Sequence, residues 1–461
     1  MDTLRKMKLL MEPKSVALLG VSRNTGAESF NILENLLIDG YEGKIYPVNP
    51  NTSEILGVRT FPNVASIGKD VDQAIINLPR FLVPGVVREC AEAGIQSMII
   101  VTQGFADAID NEGKQLQKEI DEVVQKNGVR IVGPNSIGVA NAFINFNSSF
   151  MRAEIEKIPI GTICQTGVFF IGFPQIKVVG KGIDLGNACD VDFADGLEYF
   201  ELDTETNLVI LHIEGSRDNK RLLNAANQTA QKKPVIALKT AKTASAAKAA
   251  QSHTGSLTGR TEIWESALRQ SGVIQVSDID ELSDLVRAFS VLPPMKGRRI
   301  GVVSLTGAFG IMAIDACYKF NLELAELSPS SMAQISGMAP PWLRVGNPVD
   351  IWPMIMLSKQ PVIEGLIEGI DTILSDRQVD AVLYIGAIWS RESCSEFYEL
   401  FSKQAEAHPD KPFVCYLYGS HAAEVTDKLH ESSRAMAFLT PERAIRTLAH
   451  LADYSTFRNR L

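Results

Sequence analysis

His253 lies in Gln251-Ser252-His253-Thr254-Gly255-Ser256-Leu257-Thr258-Gly259, a run of small, hydroxylated and glycine residues that follows the apolar run 234–239 and the lysine-dotted stretch 240–250. An imidazole set between pliable glycines and hydroxyl donors, with no bulky apolar neighbour, is presented outward rather than packed into a core. Its neutral ring nitrogen can attack a phosphoryl group. Three further turns carry residue types that hold phosphate. Gly20-Val21-Ser22-Arg23-Asn24-Thr25-Gly26 places glycines, hydroxyls and a guanidinium after an apolar run, while Gln165-Thr166-Gly167 and Thr306-Gly307-Ala308 each follow such a run and precede a helical pattern. A helix start aims unpaired N–H groups and the positive end of the helix dipole at one point, and two such ends facing each other would make a site for a transferred phosphoryl group. Singly, a hydroxyl-rich loop caps a helix and a glycine turn is tight strand-to-helix packing. Their joint presence beside the His253 loop points to phosphate chemistry.

The elements that must position these residues are short β-rich runs alternating with helix-length amphipathic stretches. Runs 15–20, 44–48, 73–77, 97–102 and 130–132 are almost continuously apolar, as parallel strands buried on both faces are, with helical patterns at 28–38 and 83–93 between them. This predicts a doubly wound α/β sheet. A second set, 161–164, 208–213, 234–239 and 273–276, is interleaved with helices at 260–270 and 281–292. The breaker Pro293-Pro294-Met295-Lys296-Gly297-Arg298-Arg299 then marks a linker, after which 300–304, 381–384 and 412–416 open a third set. The expected division is 1–132, 133–292 and 299–461.

A chain of 461 residues with 45% apolar and 21% charged content can fill several cores. Its net charge of −9, without a basic stripe, excludes nucleic acid as the expected partner, so an anionic ligand must be held by local amides and a few cations. The six cysteines show no CxxC spacing, which predicts neither a disulfide framework nor a zinc site, and no metal is expected. No apolar run approaches membrane-spanning length and the N-terminus lacks a cleavable apolar core, so the expectation is a cytoplasmic protein without membrane attachment. A dinucleotide-binding sheet offers an acid to the ribose at the end of its second strand, whereas here the corner reads Val48-Asn49-Pro50. That counts against an NAD(P)-dependent oxidoreductase. It is compatible with a nucleotide whose ribose carries a phosphate, such as coenzyme A.

Taken together, Ser252-His253-Thr254-Gly255-Ser256-Leu257, Gln165-Thr166-Gly167, Gly186-Asn187 with Asp190 and Asp192, Ile213-Glu214-Gly215, Gly133-Pro134-Asn135 and Asn347-Pro348-Val349-Asp350 make the chain resemble, over essentially its whole length, the α subunit of ADP-forming acyl-CoA synthetases, relatives of succinyl-CoA synthetase. The resemblance implies a CoA-binding Rossmann domain followed by two flavodoxin-like ligase domains. It implies His253 as the phosphorylated residue and Glu214 as the carboxylate that orients it, with Gln165, Thr166, Gly167, Thr306, Gly307 and Ala308 cradling phosphate. Coenzyme A would lie against Gly20, Ser22, Arg23, Val48, Asn49, Pro50, Asn77, Pro79, Thr102, Gln103 and Gly104. The substrates implied are a small carboxylic acid or its acyl-CoA and phosphate. Mg-ADP or ATP would bind only on an ATP-grasp β subunit, in an oligomer, since the three α/β sets leave no stretch for that module and no GxxxxGK[ST] is present. The chain departs from the family pattern at Cys164-Gln165-Thr166-Gly167-Val168-Phe169, where Ser-Gln-Ser-Gly-Ala-Leu is common, at Ser136, and at Leu305-Thr306-Gly307-Ala308. Those departures support the alternative of a non-catalytic CoA-binding or regulatory subunit.

Overall fold

Five of the apolar runs pair as a parallel sheet in the order Lys44–Val48, Ser15–Leu19, Gln73–Ile76, Ser97–Ile100, Arg130–Val132. The chain reverses direction across the sheet between Ser15–Leu19 and Gln73–Ile76, which opens a crevice at their carboxyl ends. Gly20 sits there at φ +90°, and a Cβ on it would lie 2.0 Å from the Asn77 carbonyl oxygen, so only glycine lets the two strand ends meet. The helix expected from residue 28 begins later, at Ile32–Asp39, because Asn31 caps it by accepting from the Leu33 and Glu34 N–H groups. The computed structural model describes all residues except 1, 27–28, 153–154, 175, 247, 249–260, 358–360 and 461.

A second sheet belongs to the same compact unit, Met1–Ile279. Its order is Ile274–Val276, Val235–Lys239, Leu208–Ile213, Ile160–Cys164, Lys181–Asp184, Gly138–Asn141, Phe146–Asn147, parallel through Lys181–Asp184 and antiparallel beyond. Strand Leu208–Ile213, third in this order, is buried along its whole length. The two sheets are joined by charge. Arg130, at the edge of the first sheet, donates from Nε to Asp190 at 2.9 Å and reaches Asp195, also at 2.9 Å, while Arg221 takes the other Asp195 oxygen at 2.8 Å. Asp192 and Asp195 form the capping box of helix Phe193–Leu202. Asp190 and Asp192, read above only as parts of a motif, are thus structural residues.

The second compact unit, Asp280–Leu461, holds a parallel sheet ordered Glu323–Leu324, Arg299–Ser304, Ala381–Ala387, Phe413–Tyr418, Met436–Phe438, with Val349–Asp350 beside the end of Arg299–Ser304. Val382 and Tyr384 enter one core and Leu383 and Ile385 the other, which is why this strand reads as an unbroken apolar run. Most of helix Ile279–Val291, expected to close the preceding domain, falls in this unit: Asp284 pairs with Arg443 at 2.7 Å and Glu281 with His450 at 3.2 Å. Among the described residues no helix is long and apolar enough to cross a membrane.

Burial holds the Asp190 carboxyl above its usual range even with Arg130 beside it, so this ion pair confers position more than stability. Removing one partner is a different matter, because a wholly buried Asp195 and a mostly buried Asp190 are left short of a cation. Arg130→Met should therefore cost about 3 kcal/mol, at the low end for a broken buried pair because Arg221 remains, read as a lowered urea midpoint. An unchanged midpoint would show that the sheets are held by apolar packing alone.

Candidate functional site

Gln165, Glu214 and Lys239 all leave the carboxyl ends of neighbouring parallel strands, Ile160–Cys164, Leu208–Ile213 and Val235–Lys239. The chain order reverses between the first two, so their ends border a crevice. The Gln165 side chain is buried. Its Oε1 accepts from the Glu214 N–H at 2.8 Å and the Gly215 N–H at 3.1 Å. From the other side Lys239 Nζ donates to the Glu214 carbonyl at 2.8 Å and to Thr240 O at 2.5 Å, and lies 5.6 Å from the Trp264 ring centre. Glu214 is half-buried on a backbone fixed from both neighbours. Burial pulls Lys239 down to about 8 against the Glu214 charge, which favours its protonated form.

Thr166 and Gly167 precede a helix of only four residues, Val168–Ile171, a single turn in place of the helix expected there. Phe169 and Phe170 within it are core: Phe169 meets Phe173 edge to face at 5.2 Å and lies 5.1 Å from the His212 ring, and Phe170 packs over Gly182. Thr306 in the C-terminal unit precedes a full helix, Gly307–Lys319, and Ser304 Oγ both accepts from its N–H and donates to its carbonyl. Gly307 and Ala308 are exposed in its first turn. His253 and its loop lie outside the described residues.

Two titratable groups at these strand ends escaped the sequence reading. Asp184 ends Lys181–Asp184 and is buried, accepting from the Ile137 N–H at 2.8 Å and the Gly186 N–H at 3.5 Å. Burial pushes its carboxyl up to about 7, Glu214 adding to the rise and the two N–H groups opposing it. His212 is buried within its strand with Nε2 3.2 Å from Thr240 Oγ1, and burial pulls it down to about 4, so it is a neutral core histidine. The signal for Asp184 was a carboxylate directly before Leu185-Gly186-Asn187; Lys181 and Gly182 hid the strand that carries it.

At the first sheet, a cavity of about 610 Å³ is lined by Asn77, Leu78, Pro79, Thr102 and Gln103 from its strand ends, by Asn135, Ser136 and Ile137 from the connection to the second sheet, and by Phe30 and Phe150. Its size is that of a small-molecule site. Thr102 Oγ1 donates to Leu78 O at 2.7 Å and ties the two loops together. Gly20 and Ser22 line a small adjoining space of about 30 Å³ that shares Phe30 and Asn77. Arg23, Val48, Asn49, Pro50 and Gly104 do not line the larger cavity: Arg23 donates to Asn51 O at 3.2 Å, Asn49 Oδ1 accepts from the Asn51 N–H, and the Gly104 N–H donates to Asp107. Of the expected set, Asn77, Pro79, Thr102 and Gln103 are brought together. The aromatic and 135–137 walls were missed because they come from distant sequence.

The chain matches a CoA-binding domain over residues 14–142 and a succinyl-CoA ligase-like flavodoxin domain over 160–289. It is 33% identical over 438 residues to the α subunit of acetate–CoA ligase [ADP-forming] II of Pyrococcus furiosus, covering 93% of this chain and 94% of that one. It is 34% identical over 427 residues to acetate–CoA ligase [ADP-forming] II of Archaeoglobus fulgidus, covering 90% of this chain but 62% of that protein. The chain thus spans about three-fifths of the length of such longer relatives. A solved structure of dinucleotide-forming acetyl-coenzyme A synthetase 1 from Ca. Korarchaeum cryptofilum, with phosphate and ADP, superposes with a TM-score of 0.87 at 27% identity over 98% of this chain and 97% of that one.

The raised Asp184 carboxyl makes a signed prediction. A group whose folded value lies above its unfolded one gives stability that is complete below the ordinary value of 3.8 and lost as pH rises through about 7. The stability difference between the parent and Asp184→Asn should therefore change by about 1.4 kcal/mol per pH unit across that window. Urea midpoints at intervals from pH 4 to pH 8 check this, and a constant difference would mean that Asp184 is ionised in the fold.

Proposed function

This chain belongs to the ADP-forming acetate–CoA ligase family, and on that premise we propose that it is the α-type portion of an acyl-CoA synthetase. The reaction interconverts acyl-CoA, phosphate and ADP with carboxylic acid, CoA and ATP. In the ATP-forming direction a phosphate oxygen attacks the thioester carbonyl and displaces the CoA thiol, giving an acyl phosphate. His253 then attacks phosphorus, the bond from phosphorus to the acyl oxygen breaks, and the carboxylate leaves. The phosphohistidine passes its phosphoryl group to ADP on an ATP-grasp partner that also holds magnesium.

The observation that carries this reading is the convergence of Gln165, Glu214 and Lys239 at one strand-end crevice, with Val235–Lys239 leading into the segment that contains His253. A carboxylate on one ring nitrogen fixes the tautomer, raises the nucleophilicity of the other and offsets the positive charge of the phosphorylated ring. Glu214 is assigned that role. The 610 Å³ cavity supports CoA as the ligand: its described lining carries no carboxylate to repel phosphate, Asn77, Thr102, Gln103 and Asn135 offer hydrogen bonds, and Phe30, Leu78, Pro79 and Phe150 offer apolar surface. Bound CoA would supply the thiol that accepts the acyl group.

Calorimetry should find CoA bound more tightly than NAD, and tighter NAD would overturn the assignment of the first sheet. Acyl phosphate should label the protein with an acid-labile, base-stable phosphate that His253→Ala abolishes while leaving CoA affinity intact. Glu214→Gln should slow labelling by roughly 10²–10³, the usual cost of an electrostatic partner. Label on Thr254 or Ser256, or full labelling of His253→Ala, would rule out the phosphohistidine step. CoA binding without any labelling would favour a non-catalytic CoA-binding subunit.

A further inference from the structure

The C-terminal unit brings together three side chains that no spacing rule connects. Cys394 starts helix Cys394–Ala407 after the loop that follows strand Ala381–Ala387, His421 precedes helix Ala422–Ser432 after strand Phe413–Tyr418, and Glu424 lies in that helix's first turn. The two loops meet because Gly419, at φ +100°, lets the backbone approach Ile388, where a Cβ would stand 2.7 Å from the carbonyl oxygen. One ligand atom from each of Cys394, His421 and Glu424 then lies within 4.8 Å of the others. Both loops leave the carboxyl ends of adjacent parallel strands, the side of an open α/β sheet where ligands bind.

We propose that Cys394, His421 and Glu424 form a binding site for a zinc-class divalent transition metal. Thiolate, imidazole and carboxylate are the donors such an ion takes, and their softness selects it over magnesium or calcium. Tetrahedral bonds of 2.0–2.3 Å need ligand atoms roughly 3.3–3.8 Å apart, so the side chains close by at most about 1.5 Å. Three protein ligands leave the fourth position to water. Two helix starts near a cation oppose it, and burial with the Glu424 charge holds the Cys394 thiol above its ordinary value, so the ion itself must displace the proton; once it does, thiolate and Glu424 carboxylate neutralise the dication. Binding releases the thiol proton, which now goes to Ser390 O at 3.6 Å. The ion must also compete with Arg391, 3.3 Å from Glu424 Oε2; that pair is exposed and weak.

The test uses the full chain, reduced and stripped with chelator, then titrated with Co(II) without oxygen. One equivalent should produce a thiolate-to-cobalt charge-transfer band and the visible bands of a tetrahedral ion, both removed by Zn(II). Cys394→Ser should lose the charge-transfer band, and Cys189→Ser, at a partly exposed cysteine elsewhere, should keep it. His421→Ala and Glu424→Gln should each weaken Co(II) binding about tenfold or more. These two substitutions decide the matter if Cys394→Ser does not fold, since Glu424 is about half exposed. A parent without the band, a band that survives Cys394→Ser or vanishes in Cys189→Ser, or unchanged affinity in both His421→Ala and Glu424→Gln would overturn the site.

Discussion

Charge buried between two sheets sets the geometry on which the N-terminal unit depends. Arg130 ends up between Asp190 and Asp195, so the last strand of the first sheet cannot slide against the second without exposing unpaired carboxylates. The residues that follow that strand, 135–137, wall the 610 Å³ cavity. They are fixed in turn by Asp184, which accepts from the Ile137 N–H and whose carbonyl accepts from Ser136 Oγ. Gly186 allows this approach, since a Cβ there would come within 2.4 Å of the Pro134 and Asn135 carbonyl oxygens. The same Asp184 ends a strand paired with the one carrying Gln165. The cavity wall and the strand-end crevice are therefore held through one buried side chain.

Much of this fold was legible in the sequence, for a physical reason. Parallel strands covered on both faces read as unbroken apolar runs, and Ser15–Leu19, Leu208–Ile213 and Ala381–Ala387 were found that way. Strands that break the pattern were missed. Lys181–Asp184 carries a lysine at its first residue, buried because Asp203 at 2.8 Å and Glu205 at 2.7 Å neutralise it, and no local pattern reveals partners twenty residues away. The short pairs Gly138–Asn141 with Phe146–Asn147 and the edge strands Glu323–Leu324 and Met436–Phe438 fall below the length at which periodicity speaks.

The candidate site was legible in its residue types and less so in their roles. Gly20 was singled out for phosphate, yet its conformation is required by the Asn77 carbonyl, whatever binds nearby. Gln165 was singled out as a phosphate contact, and its Oε1 braces the Glu214 backbone. Asn77, Thr102 and Gln103 line one cavity because strand ends on one edge of a parallel sheet converge by topology. Phe30 and Phe150, packed edge to face 5.9 Å apart, belong to loops whose meeting no strand pattern encodes.

The arrangement around Glu214 bears on the role proposed for it, that of an electrostatic partner at the end of a strand. A strand terminus is where a sheet loses its ladder hydrogen bonds, and a free terminus lets a carboxylate wander over several positions. Here the Glu214 N–H is taken by Gln165 Oε1 and its carbonyl by Lys239 Nζ, side chains of the two flanking strands that substitute for the missing ladder. Lys239 is itself held by the Thr240 carbonyl and the face of Trp264, and the Glu214 charge favours its protonated form. A backbone fixed from both sides limits the positions the Glu214 side chain can reach, and a positioned carboxylate is what an imidazole that becomes cationic requires.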